Sequence, residues 1–351
     1  MLGISDINIK AFRGLRGAIL KDCKPFNLIV GANNSGKSSV LEAILLQDQP
    51  LSLDRWRSVA SLRNFGGREQ LSELKGLFPL HVEDDLTGIK IVRDGTSFDA
   101  VASDIQGDPF ESYSKISERV PAFSLPPRRA PGEEAQEEDL IEGLEVCVSG
   151  SAKETLFFWE RGRTHQGPQE NVSCIFNVPW RQPVIWRLSS VIRDGRKDQL
   201  LELLRTIDPA LTDIFILAEE GSRDAKIFVR HHRHGAIPLG LQGRGLSQAL
   251  SLALSFANLN SGGILLIDEF ETGMHTSILG DVMKWLTTTA REHGIQLFAT
   301  THSLETVDGI LAALDNDIDD LGFYRTRDGE VYSRDEESLR TARELLGHEV
   351  R

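Results

Sequence analysis

The sequence predicts an α/β protein built on a mixed sheet, with a β-rich lobe inserted into it. A short apolar run at 26–30 ends at a glycine-rich loop and a helical pattern follows, as expected of a buried strand that enters a turn. Apolar runs at 264–268 and 296–301 each precede another helical pattern, which indicates strand–helix units. Residues 49–197, between these two parts, break into short strand-like pieces.

The composition excludes several classes of protein. The 351 residues include 39 Lys and Arg against 52 Asp and Glu, and the formal net charge of −13 argues against a simple basic domain for binding polyanions. Cys23, Cys147 and Cys174 show no CxxC spacing, so neither a disulfide framework nor a zinc site is indicated and a reducing cytoplasm is expected. Charges near the start and the lack of a long apolar run predict a chain that is neither exported nor membrane-spanning.

We assign residues 1–48 to the first part of the main domain and 49–197 to the inserted lobe. In the first part, a strand is expected at 4–10 and a helix from Lys37 to about Leu46. Strands are expected in the lobe at 89–95, 144–150, 154–160, 172–178 and 183–188. Residues 121–139 combine four prolines with an acidic cluster and little apolar content, which predicts a mobile surface loop.

Residues 198–351 regain strong periodicity and complete the main domain. Helices are expected near 198–206, 246–259, 276–292 and 303–314, and strands near 212–218, 225–231, 264–268 and 296–301. The last strands are predicted to close the sheet edge as a hairpin around Asp328-Gly329.

The clearest chemical signal is the sequence GANNSGKS at 31–38, which fits G-x-x-x-x-G-K-[ST] between a strand and a helix. Backbone N–H groups of such a loop cradle phosphates, the lysine reaches the β- and γ-phosphates, and the following hydroxyl ligates Mg²⁺. An ordinary glycine-rich turn is disfavoured because both flanking elements are predicted. The residues expected to contact nucleotide are Gly31, Asn33, Asn34, Ser35, Gly36, Lys37, Ser38 and Ser39, with Ser39 at the α-phosphate.

An acidic pair follows the apolar run at 264–267. Asp268 is expected to hold the Mg²⁺ shell, and Glu269 to orient or deprotonate an attacking water. Taken alone, such a pair after a strand is an ordinary helix N-cap. In combination with the glycine-rich loop it is the Walker B position.

Three weaker features lie near these motifs. The sequence QGRGLSQ at 242–248 places glycines at a helix N-terminus, where an anion can bind. His302 ends the strand after the acidic pair, where an imidazole can donate to a γ-phosphate, and ETGMH follows the pair at 271–275.

In this order the features resemble the ABC-type P-loop ATPase head, with its Walker A, signature, Walker B, D-loop and H-loop. The resemblance implies ATP and Mg²⁺ as cofactors, with Lys37, Glu269 and His302 as catalytic residues and Ser38 and Asp268 as metal ligands. It also implies that ATP joins two heads, because the signature of one subunit completes the nucleotide site of another. The residues that would act in this way are Gly243, Gly245 and Ser247. LQGRGLSQ departs from the transporter pattern LSGGQ, since the serine before the glycines is missing.

Within that class, IKAFRG, GANNSGKSS, QGRGLSQ and DEFETGMH with a following THS resemble the OLD-like AAA ATPases, which are related to SMC and RecF heads. This family includes the ATPase subunits of anti-phage systems such as PARIS and Gabija, and the resemblance covers about 1–48 and 210–351. It implies that Arg13 lies near bound nucleotide. OLD-like nucleases carry a C-terminal Toprim domain, whereas about fifty residues follow His302 here. We therefore expect a homo-oligomeric switch that controls a separate toxin or nuclease effector.

Two other functions stay open at this point. One is a RecF-like DNA-repair ATPase, and the other is a nucleotide-gated scaffold whose hydrolysis is slow or absent. The basic run at 230–234 (RHHRH) is interpreted as a solvated turn in preference to a metal site, because no spaced carboxylate or cysteine accompanies it. Nucleic acid is a possible partner there, or at a patch of Arg193, Arg196 and Lys197 with Trp180 and Trp186. No membrane partner is expected.

Overall fold

The structure is a computed structural model that describes residues 3–62, 76–79, 89–105, 141–148, 154–157, 172–175, 183–218, 225–257, 259–314 and 318–334. The loop expected at 121–139 and the side chain of Trp180 lie outside these residues, so what the sequence indicates for them stays a prediction. Within the described ranges, no helix combines the length and the apolar character that crossing a membrane requires.

Helices and strands follow one another along most of the described chain. The helices are α1 (Lys37–Asp48), α2 (Leu53–Ser61), α3 (Pro183–Arg193), α4 (Lys197–Ile207), α5 (Arg244–Ala257), α6 (Thr276–His293) and α7 (Leu304–Ala313). The strands are β1 (Ile7–Phe12), β2 (Leu15–Leu20), β3 (Phe26–Val30), β4 (Ile89–Arg93), β5 (Thr96–Ile105), β6 (Ile141–Val148), β7 (Glu154–Phe157), β8 (Val172–Ile175), β9 (Leu211–Ala218), β10 (Ala225–His231), β11 (Gly235–Pro238), β12 (Ile264–Ile267), β13 (Gln296–Thr301), β14 (Leu321–Arg327) and β15 (Glu330–Arg334).

The glycine-rich loop follows a central strand of a mixed sheet, which confirms the predicted fold class. The strand order is β15-β14-β3-β13-β12-β8, and all neighbours are parallel except β15, which runs antiparallel to β14. Every residue of β3, β12 and β13 is buried, as expected of parallel strands that are covered on both faces. The antiparallel edge is the predicted hairpin, and its turn residues Asp328 and Gly329 both have positive φ.

Two further sheets lie outside this mixed sheet. In one, with strand order β2-β1-β4-β5-β6-β7, the strands β4 to β7 pair antiparallel in turn. The other is a three-stranded antiparallel sheet of order β11-β10-β9. The strands predicted at 89–95, 144–150 and 154–160 correspond to β4, β6 and β7, whereas the sequence pattern did not predict β5.

The chain divides into two compact units. The first contains Met1–Ile7, Ala18–Leu41 and Glu170–Arg351, and the second contains Asn8–Gly17 and Glu42–Gln169. The core of the first unit is formed by residues of the mixed sheet and its covering helices. In the second unit the buried ring of Trp56 lies 6.2 Å from Phe78 and 6.0 Å from Phe98, measured between ring centroids.

Two strand predictions need correction at the junction between the lobe and the main domain. The strand predicted at 183–188 is wrong, because these residues begin α3. Leu188 and Val191 are buried at helical spacing, and Pro183 stands at the first helical position, where its missing N–H is tolerated. The strand near 172–178 exists as β8, but it pairs with β12 and so extends the mixed sheet.

Helix caps fix the two helices that follow the functional strands. His275 precedes α6 and accepts a hydrogen bond from the Ser277 N–H at 3.2 Å, and Gly294 ends the helix with a left-handed φ of 64°. Ser303 precedes α7 and accepts a hydrogen bond from the Thr306 N–H at 3.2 Å. His302 therefore lies between the last residue of β13 and a fixed helix start.

Candidate nucleotide site

The loop at 31–36 curls around the N-terminus of α1. Asn34 and Gly36 have positive φ values of 64° and 102°, conformations that Asn and Gly adopt at low cost. Asn33 and Asn34 are exposed, whereas Ser39 is buried in the first helical turn. The loop therefore has the strand–loop–helix geometry of an anion-binding cradle.

Gly31 is required at the start of this loop by its close approach to β14. A Cβ added at Gly31 would lie 2.5 Å from Ser35 Oγ and 2.6 Å from the Thr326 carbonyl oxygen, and it would also meet the Thr326 hydroxyl. The Thr326 hydroxyl donates to the Val30 carbonyl at 3.2 Å and lies 2.6 Å from Ser35 Oγ. A side chain on β14 thus supports the underside of the phosphate loop.

The Lys37 ammonium folds back over the loop. Its Nζ donates to the carbonyls of Gly31 and Ala32, both at 2.8 Å. Burial lowers the pKa of Lys37, and the nearby carboxylates Asp268, Glu269 and Glu271 oppose this shift. The cation is therefore held beside the loop by backbone dipoles and by three negative side chains.

Ser38 and Asp268 lie within hydrogen-bonding distance of each other. Ser38 Oγ lies 2.9 Å from Asp268 Oδ1 and 3.0 Å from Oδ2, and both side chains are largely buried. A hydroxyl beside a carboxylate supplies the oxygen ligands that Mg²⁺ prefers. The residues present therefore fit a Mg²⁺ ion at this point, with Lys37 and the loop N–H groups available for the phosphates.

Glu269 and Thr300 are fixed against each other at the ends of β12 and β13. Glu269 is in the left-handed region with φ 48°, and its N–H donates to Thr300 Oγ1 at 2.8 Å. The Thr300 hydroxyl donates in turn to Asp268 Oδ1 at 2.7 Å, and the Phe270 N–H donates to the Thr300 carbonyl at 2.9 Å. The acidic pair is thus bonded to Thr300 at two atoms, and the following residue, Phe270, adds a third bond.

His302 is held by a carboxylate that follows the acidic pair. Glu271 Oε1 accepts from His302 Nδ1 at 3.0 Å and from the His302 N–H at 3.1 Å. Because a carboxylate only accepts, Nδ1 carries a proton and the second ring nitrogen, Nε2, remains for another partner. Glu271 is largely buried while the His302 side chain is 44% exposed, so the ring extends from a fixed base toward solvent.

The signature residues lie at the N-terminus of α5. Gly243 is exposed and Gly245 and Ser247 are half-buried. Gly245 lies against the segment that follows the acidic pair, since a Cβ added to it would be 3.2 Å from the Gly273 carbonyl oxygen. Gly273 has φ 77°, and a Cβ there would be 3.3 Å from the Arg244 Cβ. The two segments therefore pack backbone to backbone.

Arg13 belongs to the second compact unit, where it forms an ion pair. Its Nε lies 2.7 Å from the buried carboxylate of Glu42, and Arg13 Nη1 donates to the Gly76 carbonyl at 3.4 Å. The expectation that Arg13 lies near nucleotide stays a prediction.

Sequence reasoning missed three side chains of this site. Thr300 bonds to Asp268 and Glu271 bonds to His302, and in each contact the two residues are about thirty positions apart. The two threonines that end the otherwise apolar strand β13 were the local signal that could have identified Thr300. Thr326 is 291 positions from Ser35 and carried no local signal.

Two family models match the chain. Residues 183–308 match a model described as "AAA domain, putative AbiEii toxin, Type IV TA system", and residues 3–90 match one described as "AAA ATPase domain". Together these matches include the glycine-rich loop, the signature, the acidic pair and His302.

Similar sequences and structures agree with this class. The DNA replication and repair protein RecF of Shewanella baltica is 29% identical over 126 residues, which span 36% of this chain and 33% of that protein. The chain therefore matches about a third of the length of this relative. A crystal structure of an SmcHead bound to the C-winged helix domain of ScpA shares the fold, with a TM-score of 0.51 and 15% identity over 96% of this chain and 99% of that chain.

The fold and the site together define an AAA/ABC-type P-loop ATPase with an SMC/RecF head-like fold. More particularly, the chain belongs to the family of the uncharacterized protein MJECL11 of Methanocaldococcus jannaschii, which is 37% identical over 113 residues. That match covers 31% of this chain and 98% of MJECL11.

We expect Gly31→Ala to weaken nucleotide binding at least about tenfold and to destabilise the fold by about 1–3 kcal/mol, because the added Cβ overlaps a strand carbonyl that cannot move freely. Titration with a fluorescent ATP analogue and urea unfolding measure both effects. Gly309→Ala in α7 is the matched control, since a Cβ there meets open space and a helical Ala is favoured by about 0.5–1 kcal/mol. Equal effects of the two substitutions would contradict the close-packing explanation.

We expect Glu271→Ala and His302→Ala to lower kcat for ATP by similar factors, and the double variant to be no slower than the slower single one. The reason is that Glu271 acts through the ring that it holds at 3.0 Å. Steady-state hydrolysis of all four proteins gives this cycle. Glu271→Gln retains an acceptor oxygen and should be closer to the unmodified chain, and purely additive losses would show that the two residues act independently.

Proposed function

We propose that this chain binds and hydrolyses ATP as a molecular switch, and that it is the ATPase subunit of an anti-phage defence complex with a separate toxin or nuclease effector. The observation that carries the ATPase part is the meeting of Ser38 with Asp268 beside Lys37. Ser38 and Asp268 are 230 positions apart in the sequence. A hydroxyl, a carboxylate and an ammonium brought together beside a glycine-rich loop are the groups that a metal–phosphate site needs.

Each residue of the site has a separate task in this proposal. The loop N–H groups and Lys37 bind the phosphates, and Ser38 and Asp268 hold Mg²⁺, which neutralises phosphate charge when it is bound. Glu269 orients the water or accepts its proton, and its backbone is fixed by Thr300. His302, whose Nδ1–H donates to Glu271, would donate to the γ-phosphate through Nε2 as an imidazolium, in which both ring nitrogens carry protons.

The signature residues support assembly of two heads on ATP. Gly243 is exposed, and among the residues that the structure describes, its chain neighbours aside, none has an atom within 4 Å of the position of a Cβ there. Its backbone is therefore accessible for a ligand of a second copy. Leu241, two residues earlier, is 77% exposed, so an apolar side chain stands at the surface beside the signature. Gly245 contacts the segment after Glu269, so occupation of the signature in one copy acts on the acidic pair of that same copy.

The defence role rests on two likenesses. The family model matched by residues 183–308 has a description that names a putative AbiEii toxin and a type IV TA system. The motif set also resembles the OLD-like ATPases. A head of this kind needs a partner to produce an effect, because binding and hydrolysis of nucleotide change only its own assembly and surfaces. We therefore place the effector outside this chain.

We expect Lys37→Ala to abolish nucleotide binding and Glu269→Gln to bind ATP but to hydrolyse it at least about a hundredfold more slowly. Light scattering with and without Mg-ATP, in one salt, should show a larger species for Glu269→Gln with ATP and none for Lys37→Ala. Arg327→Gln, on the exposed hairpin turn, is the control for a surface substitution.

The effector part has its own readout. Tagged Glu269→Gln expressed with its neighbouring genes should retain a partner protein in an ATP-dependent manner, and Lys37→Ala should lose that dependence. Normal turnover in Glu269→Gln would contradict the ATPase assignment. A chain that arrests phage alone, with no partner, would contradict the separate effector.

A second function, ATP-dependent nucleic-acid binding as in a RecF-like repair ATPase, is favoured by one surface of the structure. On the β9–β10 pair, the rings of Phe215 and Phe228 stack with centroids 6.1 Å apart, and Arg230 lies 5.2 Å over Phe215. The adjoining turn exposes His232, Arg233 and His234. Basic and aromatic groups in such proximity are typical of nucleic-acid surfaces.

The other basic patch is less suited to this role. Arg196 donates to the Ala257 carbonyl and pairs with Asp194, and Lys197 pairs with Asp213. Their donors are therefore used within the chain, while Arg193 is largely exposed.

If the second function holds, Arg230→Glu and Arg233→Glu should each reduce the salt slope of DNA affinity by about one, since each removes a phosphate contact. Fluorescence anisotropy with single-stranded and duplex DNA at several salt concentrations measures this slope. Arg327→Glu, in the β14–β15 hairpin, is the matched control and should leave it unchanged. An affinity for DNA that does not depend on salt would exclude this surface.

A further inference from the structure

Thr300 is a fully buried polar residue at the end of an apolar strand. It is 0% exposed, and all six residues of β13 are buried. A hydroxyl in such surroundings destabilises the fold unless it is hydrogen-bonded. The groups that bond to it therefore show which atoms it holds in place.

Both partners of this hydroxyl belong to the acidic pair. Thr300 Oγ1 donates to Asp268 Oδ1 at 2.7 Å and accepts from the Glu269 N–H at 2.8 Å. It therefore connects the side chain of the proposed metal ligand to the backbone of the residue proposed to act on water.

The connection constrains both residues. The Thr300 hydroxyl fixes one carboxylate oxygen of Asp268, and Ser38 Oγ in the first turn of α1 bonds to both oxygens. At Glu269 the Thr300 hydroxyl stabilises a left-handed backbone with φ 48°, which is unfavourable for a residue with a Cβ. Neither conformation follows from local preference alone.

We propose that Thr300 is a positioning residue that sets the orientation of Asp268 for Mg²⁺ and of Glu269 for water through a single hydroxyl. This inference rests on the proposed ATPase function and adds to it a residue that acts through Asp268 and Glu269. Hydrogen-bonded partners of metal ligands typically change metal affinity or activity by about 10–100-fold when they are removed.

The test compares Thr300→Val, which keeps the branched shape and loses the hydroxyl, with Thr300→Ser, which keeps the hydroxyl. The matched control is Thr287→Val, because Thr287 is buried and its hydroxyl bonds to the Met283 and Lys284 carbonyls of its own helix. Two quantities are measured in each protein: steady-state ATP hydrolysis, and Mn²⁺ binding by electron paramagnetic resonance in the presence of ATPγS.

We expect Thr300→Val to lower kcat about 10–100-fold and to weaken Mn²⁺ binding in the presence of ATPγS by a similar factor, and KM for Mg-ATP to rise as well because the metal and the nucleotide bind together. Thr300→Ser should stay within about threefold of the unmodified chain in both measurements, as should Thr287→Val. If Thr300→Val does not fold, Thr300→Ala replaces it, with the same expected losses.

Unchanged kcat and Mn²⁺ binding in Thr300→Val would overturn the inference, as would equal losses in Thr300→Val and Thr300→Ser. Failure of the proposed function gives a different result, because the unmodified chain would then hydrolyse no ATP. The Mn²⁺ measurement decides the role of Thr300 in that case, since it does not depend on turnover.

Discussion

The hydrogen bonds between Ser38 and Asp268 are the interaction on which the candidate site depends. They join the first turn of α1 to the end of β12, with β13 between β12 and β3 in the sheet. Asp268 is buried among apolar strands, so its carboxylate must be satisfied, and Ser38 and Thr300 supply the donors. The same requirement that stabilises the fold thus arranges oxygen atoms where a hard cation binds. The same hydrogen bonds therefore contribute both to the stability of the fold and to the arrangement of the proposed metal ligands.

On the side of the phosphate loop that faces β14, packing rather than charge fixes the conformation of the loop. β14 runs parallel to β3 and brings Thr326 under Gly31, so closely that a Cβ would overlap its carbonyl oxygen. The 2.6 Å contact between the hydroxyls of Thr326 and Ser35 then restricts the conformation of the loop. A loop held between a strand and a helix needs little reorganisation when an anion binds, and preorganised donors are the more effective ones.

Much of the fold followed from periodicity, and the exceptions have physical causes. Fully apolar strands such as β12 and helices with clear caps such as α6 were predicted almost to the residue, because burial on both faces and local capping leave strong patterns. The helix α3 was misread as a strand, since a six-residue window that starts at Pro183 is too short to show helical spacing. In the site, Lys37, Ser38, Asp268 and Glu269 come from contiguous motifs. Thr326 and the Glu271–His302 pair do not, because they depend on strand order, which no local pattern encodes.

The charges of the candidate site bear on how a nucleotide and a metal ion would bind there. Three carboxylates, Asp268, Glu269 and Glu271, act on Lys37, while burial weakens its hold on a proton. A triphosphate would bring further negative charge next to these three carboxylates, where the effective dielectric is low and the repulsion between like charges is strong. Asp268 and Ser38 would hold a Mg²⁺ ion whose charge offsets that repulsion, and Lys37 would be available to pair with phosphate. Lys37 would then exchange the neutral carbonyls of Gly31 and Ala32 for charged phosphate oxygens, and the charges of the site would favour joint binding of a nucleotide and a cation.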